Sequence, residues 1–372
     1  MFKAGAALAT LIFAAWNMPA TLPARASQAV GSDPAASRSA DAIDAIVRSG
    51  MEAEHIPGLS LTVLRGGEIV RQSNYGWANL EQEIPVDART AFNIGSASKQ
   101  IIASGIMLLA QEGKIDLDAS ISRYIADVPA QWRPITVRHL LSHTSGLVRD
   151  APGFSAEKDQ PVMDIVRTAY PLPLQFNPGE KFEYCNTGYF ILAELVTRTS
   201  GMPWQRFFQD RFFGPLGMSA TRPTSRVDII PRRAAGYAWK DRGFENVTSY
   251  LALRPSGAFV STPADMAKWE RFLVRGKLLS RQSLERMWTK ARLNNGQEAP
   301  YGFGWRLEQV NGVSEIGHAG SLPGFRAYYA RYPDHDLTVI ALANANNSST
   351  QPTAIARAVA SELMSTKVSA RQ

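Results

Sequence analysis

A chain of 372 residues and 40.7 kDa, 45% hydrophobic and 20% charged, has the composition of a globular protein with a sizeable core. That excludes a disordered chain, a collagen-like repeat and a disulfide-stapled miniprotein. The single cysteine, Cys185, excludes an internal disulfide and a multi-cysteine metal site, and the formal charge of +7 is scattered among acids rather than gathered in a basic stripe, so a nucleic-acid partner has no support.

Met1–Ala26 reads as a secretory leader. Lys3 gives the positive start, Ala4–Trp16 the short apolar run, Pro19 and Pro23 the break, and Ala24-Arg25-Ala26 the small cleavage-site residues. The run is too short to span a bilayer, and no other segment approaches about 18–20 uninterrupted apolar residues. The mature chain is therefore expected to be periplasmic or secreted, to lack a transmembrane segment, and to carry +5 after loss of Lys3 and Arg25. Residues 27–39 are small and polar, a flexible lead-in. Asp41–Glu54 carries Ile43, Ile46, Val47 and Met51 at helical spacing. Leu59, Leu61 and Val63 then alternate toward Gly66-Gly67 and Ile69, a hairpin. From Ser96 the period is helical again, with Ile102, Ile106 and Leu109 on one face and Gly113 as the stop.

Asp116 to about Pro231 reads as helix and loop punctuated by prolines, including a helix over Tyr189–Thr199 closed by Gly201. The Pro/Gly-rich patch 150–173 is either a mobile loop over a site or an irregular connection. Thr262-Pro263-Ala264-Asp265 reads as a capping box with proline at the first helical position. Strand patterns follow at Tyr301–Leu307, Phe325–Tyr332 and Leu337–Ala343, then a last helix on Ile355, Val359 and Leu363. Strands at both ends with helices between predict an α/β (α+β) fold. Its antiparallel sheet is built from both chain ends and flanked by helices, with a mainly helical lobe inserted.

No Gly-x-Ser-x-Gly elbow and no phosphate-binding loop occur. His139 and His143 have the spacing of a metalloprotease helix, but Leu140 stands where the general base belongs, so no metal is assigned. What remains is Ser-x-x-Lys, present twice. Ser155/Lys158 lies in the polar patch, where no periodicity holds a geometry. Ser96/Lys99 opens the amphipathic helix after Gly95, which puts both side chains one turn apart on one face. A neighbouring amine can activate a serine if partial burial keeps it unprotonated; the alternative is a helix-capping serine beside a solvated lysine. Tyr184-Cys185-Asn186 is the one Tyr-x-Asn, and its phenol and carboxamide face one way if the chain is extended. Gly317-His318-Ala319-Gly320-Ser321 allows close approach to the backbone.

In this order the three motifs resemble the serine β-lactamase and penicillin-binding-protein superfamily, most closely its class C-like branch of class C β-lactamases, family VIII esterases and D-amino-acid peptidases. Gly95–Lys99, His139–Leu147, Phe176–Gly179, Ser256-Gly257 and Leu342-Ala343-Asn344 look like family blocks as well, so the resemblance covers about residues 40–366. It implies a β-lactamase/transpeptidase-like fold over 40–372, with an α/β lobe of 40–92 plus 246–372, a helical lobe of 93–245, and the site between them. It also implies an exported serine hydrolase without metal or cofactor.

By the same resemblance Ser96 is the acylated nucleophile, Lys99 its amine partner and Tyr184 the second acid–base group. Asn186 binds the acyl side chain, and His318 takes the place of the family's strand lysine. Gly320 and Ser321 flank the substrate, and the backbone amides of Ser96 and Ser321 form the oxyanion hole, about 3–4 kcal/mol per donor in comparable sites. His318 replaces a permanent cation with a group mostly neutral at pH 7, which weakens the expectation of β-lactam carboxylate recognition; Arg326 restores the charge if it points inward. Cys185 is read as a packed small side chain. The substrate class is a small ester or peptide-like amide, ahead of a genuine β-lactam, a D,D- or D-amino-acid peptide of the cell wall, and a catalytically idle penicillin or peptide binder.

Overall fold

The computed structural model describes residues 34–247, 252–347 and 351–369; the leader expected at Met1–Ala26 lies outside the described residues. Helix α1 runs over Pro34–Ala53, so the last residues of the expected lead-in are helical. Pro34 suits a first helical position because its missing N–H would have no partner there.

The hairpin forms as β1 (Gly58–Arg65) and β2 (Glu68–Asn79), with a two-residue β3 (Ile84–Pro85) beside it. Helices α2 (Lys99–Gln111) and α3 (Asn186–Ser200) follow in the central segment, then α4 (Pro263–Arg275). The C-terminal part supplies β4 (Arg306–Val310), β5 (Val313–Leu322), β6 (Phe325–Tyr332), β7 (Leu337–Ala343) and α5 (Gln351–Ser369). The seven strands form one antiparallel sheet in the order β3-β2-β1-β7-β6-β5-β4. Both chain ends thus meet at the β1–β7 pair, where Leu61 faces Ala341.

Both faces of the sheet centre are covered, and β7 is buried along its whole length. Along β6, Phe325, Ala327 and Tyr329 enter one core with α2, α3 and the other central helices, while Tyr328, Ala330 and Tyr332 enter a second core with α1 and α5. Each core holds a buried glutamate. Glu270 on α4 accepts from the hydroxyls of Tyr329 and Thr338 and from Arg331. Glu315 on β5 accepts from the hydroxyls of Tyr328 and Tyr332 and from Arg357 on α5.

The cap of α4 is half of the expected box. Thr262 accepts the Asp265 N–H at 3.2 Å, but the buried Asp265 carboxylate turns away to the Ala220 N–H and the Thr221 hydroxyl. An aspartate is one carbon too short to reach back as the box requires. The C-terminal end of β5 runs against the start of α2. A Cβ on Gly320 would stand 1.9 Å from the Ile94 carbonyl oxygen, and one on Gly95 2.7 Å from the Ser321 nitrogen. Only glycine permits that approach, and it sets the nucleophile candidate beside the strand.

Candidate active site

Ser96 lies in a single 3₁₀ turn, Gly95–Ser98, that feeds into α2 at Lys99. At three residues per turn, positions i and i+3 eclipse, which brings the pair closer than an α-helical start would. Ser96 Oγ is 3.1 Å from Lys99 Nζ. Lys99 is fully buried, and its amine also donates to Asn186 Oδ1 at 2.9 Å and to the Ser256 carbonyl at 2.6 Å. Burial, with the Arg254 charge adding to it, holds the Lys99 pKa well below that of a free lysine. A neutral amine has two hydrogens and one lone pair. Two acceptors take the hydrogens, which leaves the lone pair for the Ser96 hydroxyl.

Tyr184 sits over this amine, with Lys99 Nζ 4.8 Å from its ring centre. Burial raises its pKa, although the Ser96 oxygen and nearby arginines favour the phenolate; the phenol therefore keeps its proton. The Tyr184 hydroxyl is buried without a hydrogen bond of good geometry among the described residues. Cys185 is extended, with its Sγ on the Val148 carbonyl at 3.3 Å, and burial lifts its thiol to about 11. It packs in the core, as read from sequence. Asn186 opens α3 with its carboxamide shared between Lys99 and Asp150 Oδ1, the latter at 2.9 Å.

His318 stands beside Tyr184, ring centres 6.1 Å apart, but both of its nitrogens are engaged. Nδ1 lies 2.7 Å from the Ala319 carbonyl, an obligate acceptor, so Nδ1 carries the hydrogen and Nε2 accepts from the Tyr301 hydroxyl at 2.8 Å. Burial lowers its pKa to about 3, so it is neutral and offers no free nitrogen to a ligand. Arg326 is not brought to the site. It pairs with Ser321 and Ala343, and alternation along β6 puts it on the α1–α5 face, whereas His318 pairs with Tyr329 on the other. Gly320 and Ser321 do adjoin Gly95, the residue before Ser96.

The two histidines at 139 and 143 do not share a helix face. The short helix Val137–Leu141 ends between them, and His143 has φ +60. His139 Nδ1 accepts the Thr136 N–H in a cap. Among the described residues no cluster of His, Cys, Asp and Glu could hold a metal ion. His143 instead holds the Tyr184 segment from both sides. Its carbonyl accepts the Glu183 N–H at 2.9 Å and its Nδ1 the Cys185 N–H at 3.1 Å. The ring lies 4.3 Å from the Tyr184 ring and 4.5 Å from that of Tyr301. The second Ser-x-x-Lys forms no pair. Lys158 is exposed, and Ser155 Oγ accepts the Glu157 N–H.

Sequence reasoning missed Tyr301, Arg149, Asp150 and Arg254. Arg149-Asp150 comes one residue after the His139–Leu147 block, and that charged pair was the available signal. Nothing in the sequence ties it to Arg254.

The beta-lactamase family model matches residues 43–363. The chain belongs to the beta-lactamase family. It is 31% identical over 315 residues to Penicillin-binding protein 4* of Bacillus subtilis (strain 168), covering 79% of this chain and 69% of that protein. A D-amino acid amidase from Ochrobactrum anthropi SV3, solved with L-phenylalanine, superposes with TM-score 0.77 at 25% identity, covering 90% of this chain and all of that one (100%). An octameric penicillin-binding protein homologue from Pyrococcus abyssi gives TM-score 0.76 at 25% identity, covering 88% of this chain and 77% of the other. The beta-lactamase family membership accounts for the sheet built from both ends and for the order of the three motifs. Among the described residues no helix is long and apolar enough to cross a membrane.

Proposed function

We propose that this family member is an exported serine hydrolase that cleaves a small ester or peptide-like amide through an acyl-enzyme on Ser96. The observation that carries the reading is the coordination of Lys99, whose two hydrogens go to Asn186 Oδ1 and the Ser256 carbonyl while Ser96 Oγ lies 3.1 Å away. In acylation the Ser96 proton passes to the Lys99 amine as Oγ bonds the substrate carbonyl carbon. Tyr184 gives its phenolic proton to the leaving group and is reprotonated from Lys99. The amides of Ser96 and Ser321 hold the carbonyl oxygen as it becomes negative. In deacylation water loses a proton to the Tyr184–Lys99 pair, its oxygen bonds the acyl carbon, and the proton returns to Ser96 Oγ.

A second reading, hydrolysis of a D-amino-acid amide or cell-wall peptide, draws on the likeness to the D-amino acid amidase and to Penicillin-binding protein 4*. A neutral His318 with both nitrogens engaged speaks against a true β-lactamase, which must recognise a carboxylate near that strand.

Intact-protein mass spectrometry after exposure to a p-nitrophenyl ester and, separately, to a fluorescent penicillin tests this. Rapid p-nitrophenol release with little penicillin adduct is expected. A stable penicillin adduct on the Ser96 peptide would favour the peptidase reading, and no acylation by either reagent would leave an idle binder. The same spectrum of exported material reads leader removal near Ala26.

A further inference from the structure

The strand that carries His318 offers this cleft no cation, and Arg326 lies on the far face of the sheet. The neighbouring strand brings the charge of Arg306 to Tyr184 and His318, but that arginine is 3.5 Å from Glu308, and further positive charge comes from the opposite wall. The Arg149 carbonyl accepts the Asn186 N–H at 2.7 Å and the Thr187 N–H at 3.1 Å, so the Arg149 backbone is fastened to the first turn of α3. Its side chain is 62% exposed, with the guanidinium carbon 5.2 Å above the Tyr184 ring. Its one carboxylate neighbour among the described residues is Asp150 Oδ2, 3.6 Å from Nε, beyond hydrogen-bonding distance.

Asp150 is committed elsewhere. Its Oδ1 accepts from Asn186 Nδ2 and from Arg254. Arg254 is spent as well, with Nε on Ser256 Oγ at 3.0 Å and its plane over the Phe154 ring, 4.7 Å from carbon to centroid. Two guanidinium groups against one carboxylate leave one excess positive charge at this corner. It resides on the arginine whose donor fork makes no hydrogen bond among the described residues.

We propose that Arg149 forms a carboxylate subsite on the Asn186 side of the cleft, so that the acyl group of the substrate bears a carboxylate a few bonds from the scissile carbonyl. Asp150 and Arg254 hold the floor of this subsite, and Arg149 supplies two parallel N–H donors to the incoming carboxylate. The acyl half is assigned because Asp150 joins the Asn186 carboxamide to Arg254 and the Arg149 backbone is fastened to the Asn186 N–H, while His318 marks the side where the leaving group departs. This rests on the hydrolase reading above and adds its substrate class.

The test compares mono-p-nitrophenyl glutarate with p-nitrophenyl valerate, similar in chain length and differing in terminal charge. Wild-type protein is expected to favour the glutarate in kcat/KM, and Arg149→Gln to lower the glutarate-to-valerate ratio about tenfold or more. Arg149→Lys should restore part of the ratio, an outcome that general loosening of the cleft cannot produce. A wild-type preference for valerate, or an equal loss on both esters in Arg149→Gln, overturns the subsite and leaves the hydrolase reading standing. Calorimetry of the glutarate ester with Ser96→Ala protein, with and without Arg149→Gln, separates the two claims. Arg149-dependent binding, together with no turnover of either ester by the wild-type protein, would retain the subsite and remove the hydrolase.

Discussion

Two stretches of this chain carry the same Ser-x-x-Lys spacing, and only one forms a pair. At 96–99 the serine sits in a 3₁₀ turn wedged against β5, and the lysine is sealed beneath Tyr184 and bonded to Asn186 and Ser256. At 155–158 the serine caps its own turn and the lysine points to solvent. Burial and partners separate them. Enclosure lowers the pKa of the Lys99 amine and so favours the neutral form that can take a proton.

The largest effect expected from breaking this contrast is on turnover. Ser96→Ala should cut ester hydrolysis at least about a thousandfold and remove the adduct in mass spectrometry with the melting temperature little changed, while Ser155→Ala should leave the rate within error. A dead Ser155→Ala enzyme beside an active Ser96→Ala enzyme would reverse the assignment.

His143 sharpens the comparison because nothing equivalent braces the 155–158 stretch. His143→Phe keeps a ring but loses the acceptor for the Cys185 N–H, and kcat should fall about ten- to a hundredfold through misplacement of Tyr184. Asparagine tolerates the left-handed backbone at this position and retains an acceptor. His143→Asn should therefore recover most of the rate; equal loss in both variants would reduce His143 to a packing residue.

The smallest effect is on stability, and its sign follows from linkage. The folded pKa of Lys99 lies below its unfolded value, about 10.4. Between the two the unfolded chain binds more protons, so stability rises with pH, by at most about 1.4 kcal/mol per unit. Urea unfolding from pH 7 to 10 should show wild type gaining on Lys99→Met as pH rises, and no such trend against Lys158→Met. A flat difference for Lys99→Met would mean that the amine stays charged in the folded protein.

Much of the architecture was legible because its signals are local. Alternating apolar residues marked β1, and the runs at 325–332 and 337–343 match β6 and β7 end to end. The start of α3 came out three residues early of the expected Tyr189, since Asn186 and Thr187 are capped by the carbonyl of Arg149, distant in sequence. The single-sided cap at Asp265 was hidden for the same reason, as its carboxylate prefers Ala220 and Thr221.

By itself the sequence determined the identities at 96, 99, 184, 186 and 318, the spacing that makes Ser96 and Lys99 neighbours, and a family likeness that the matched residues 43–363 bear out. Tertiary structure alone decided that Lys99 is dry, that Tyr301 and Ala319 occupy both nitrogens of His318, that Arg326 faces away, and that Arg149 faces in. The physical reason is that side-chain spacing is a property of local backbone geometry. Burial, strand register and the choice of hydrogen-bond partner depend on which distant segments arrive at the same place.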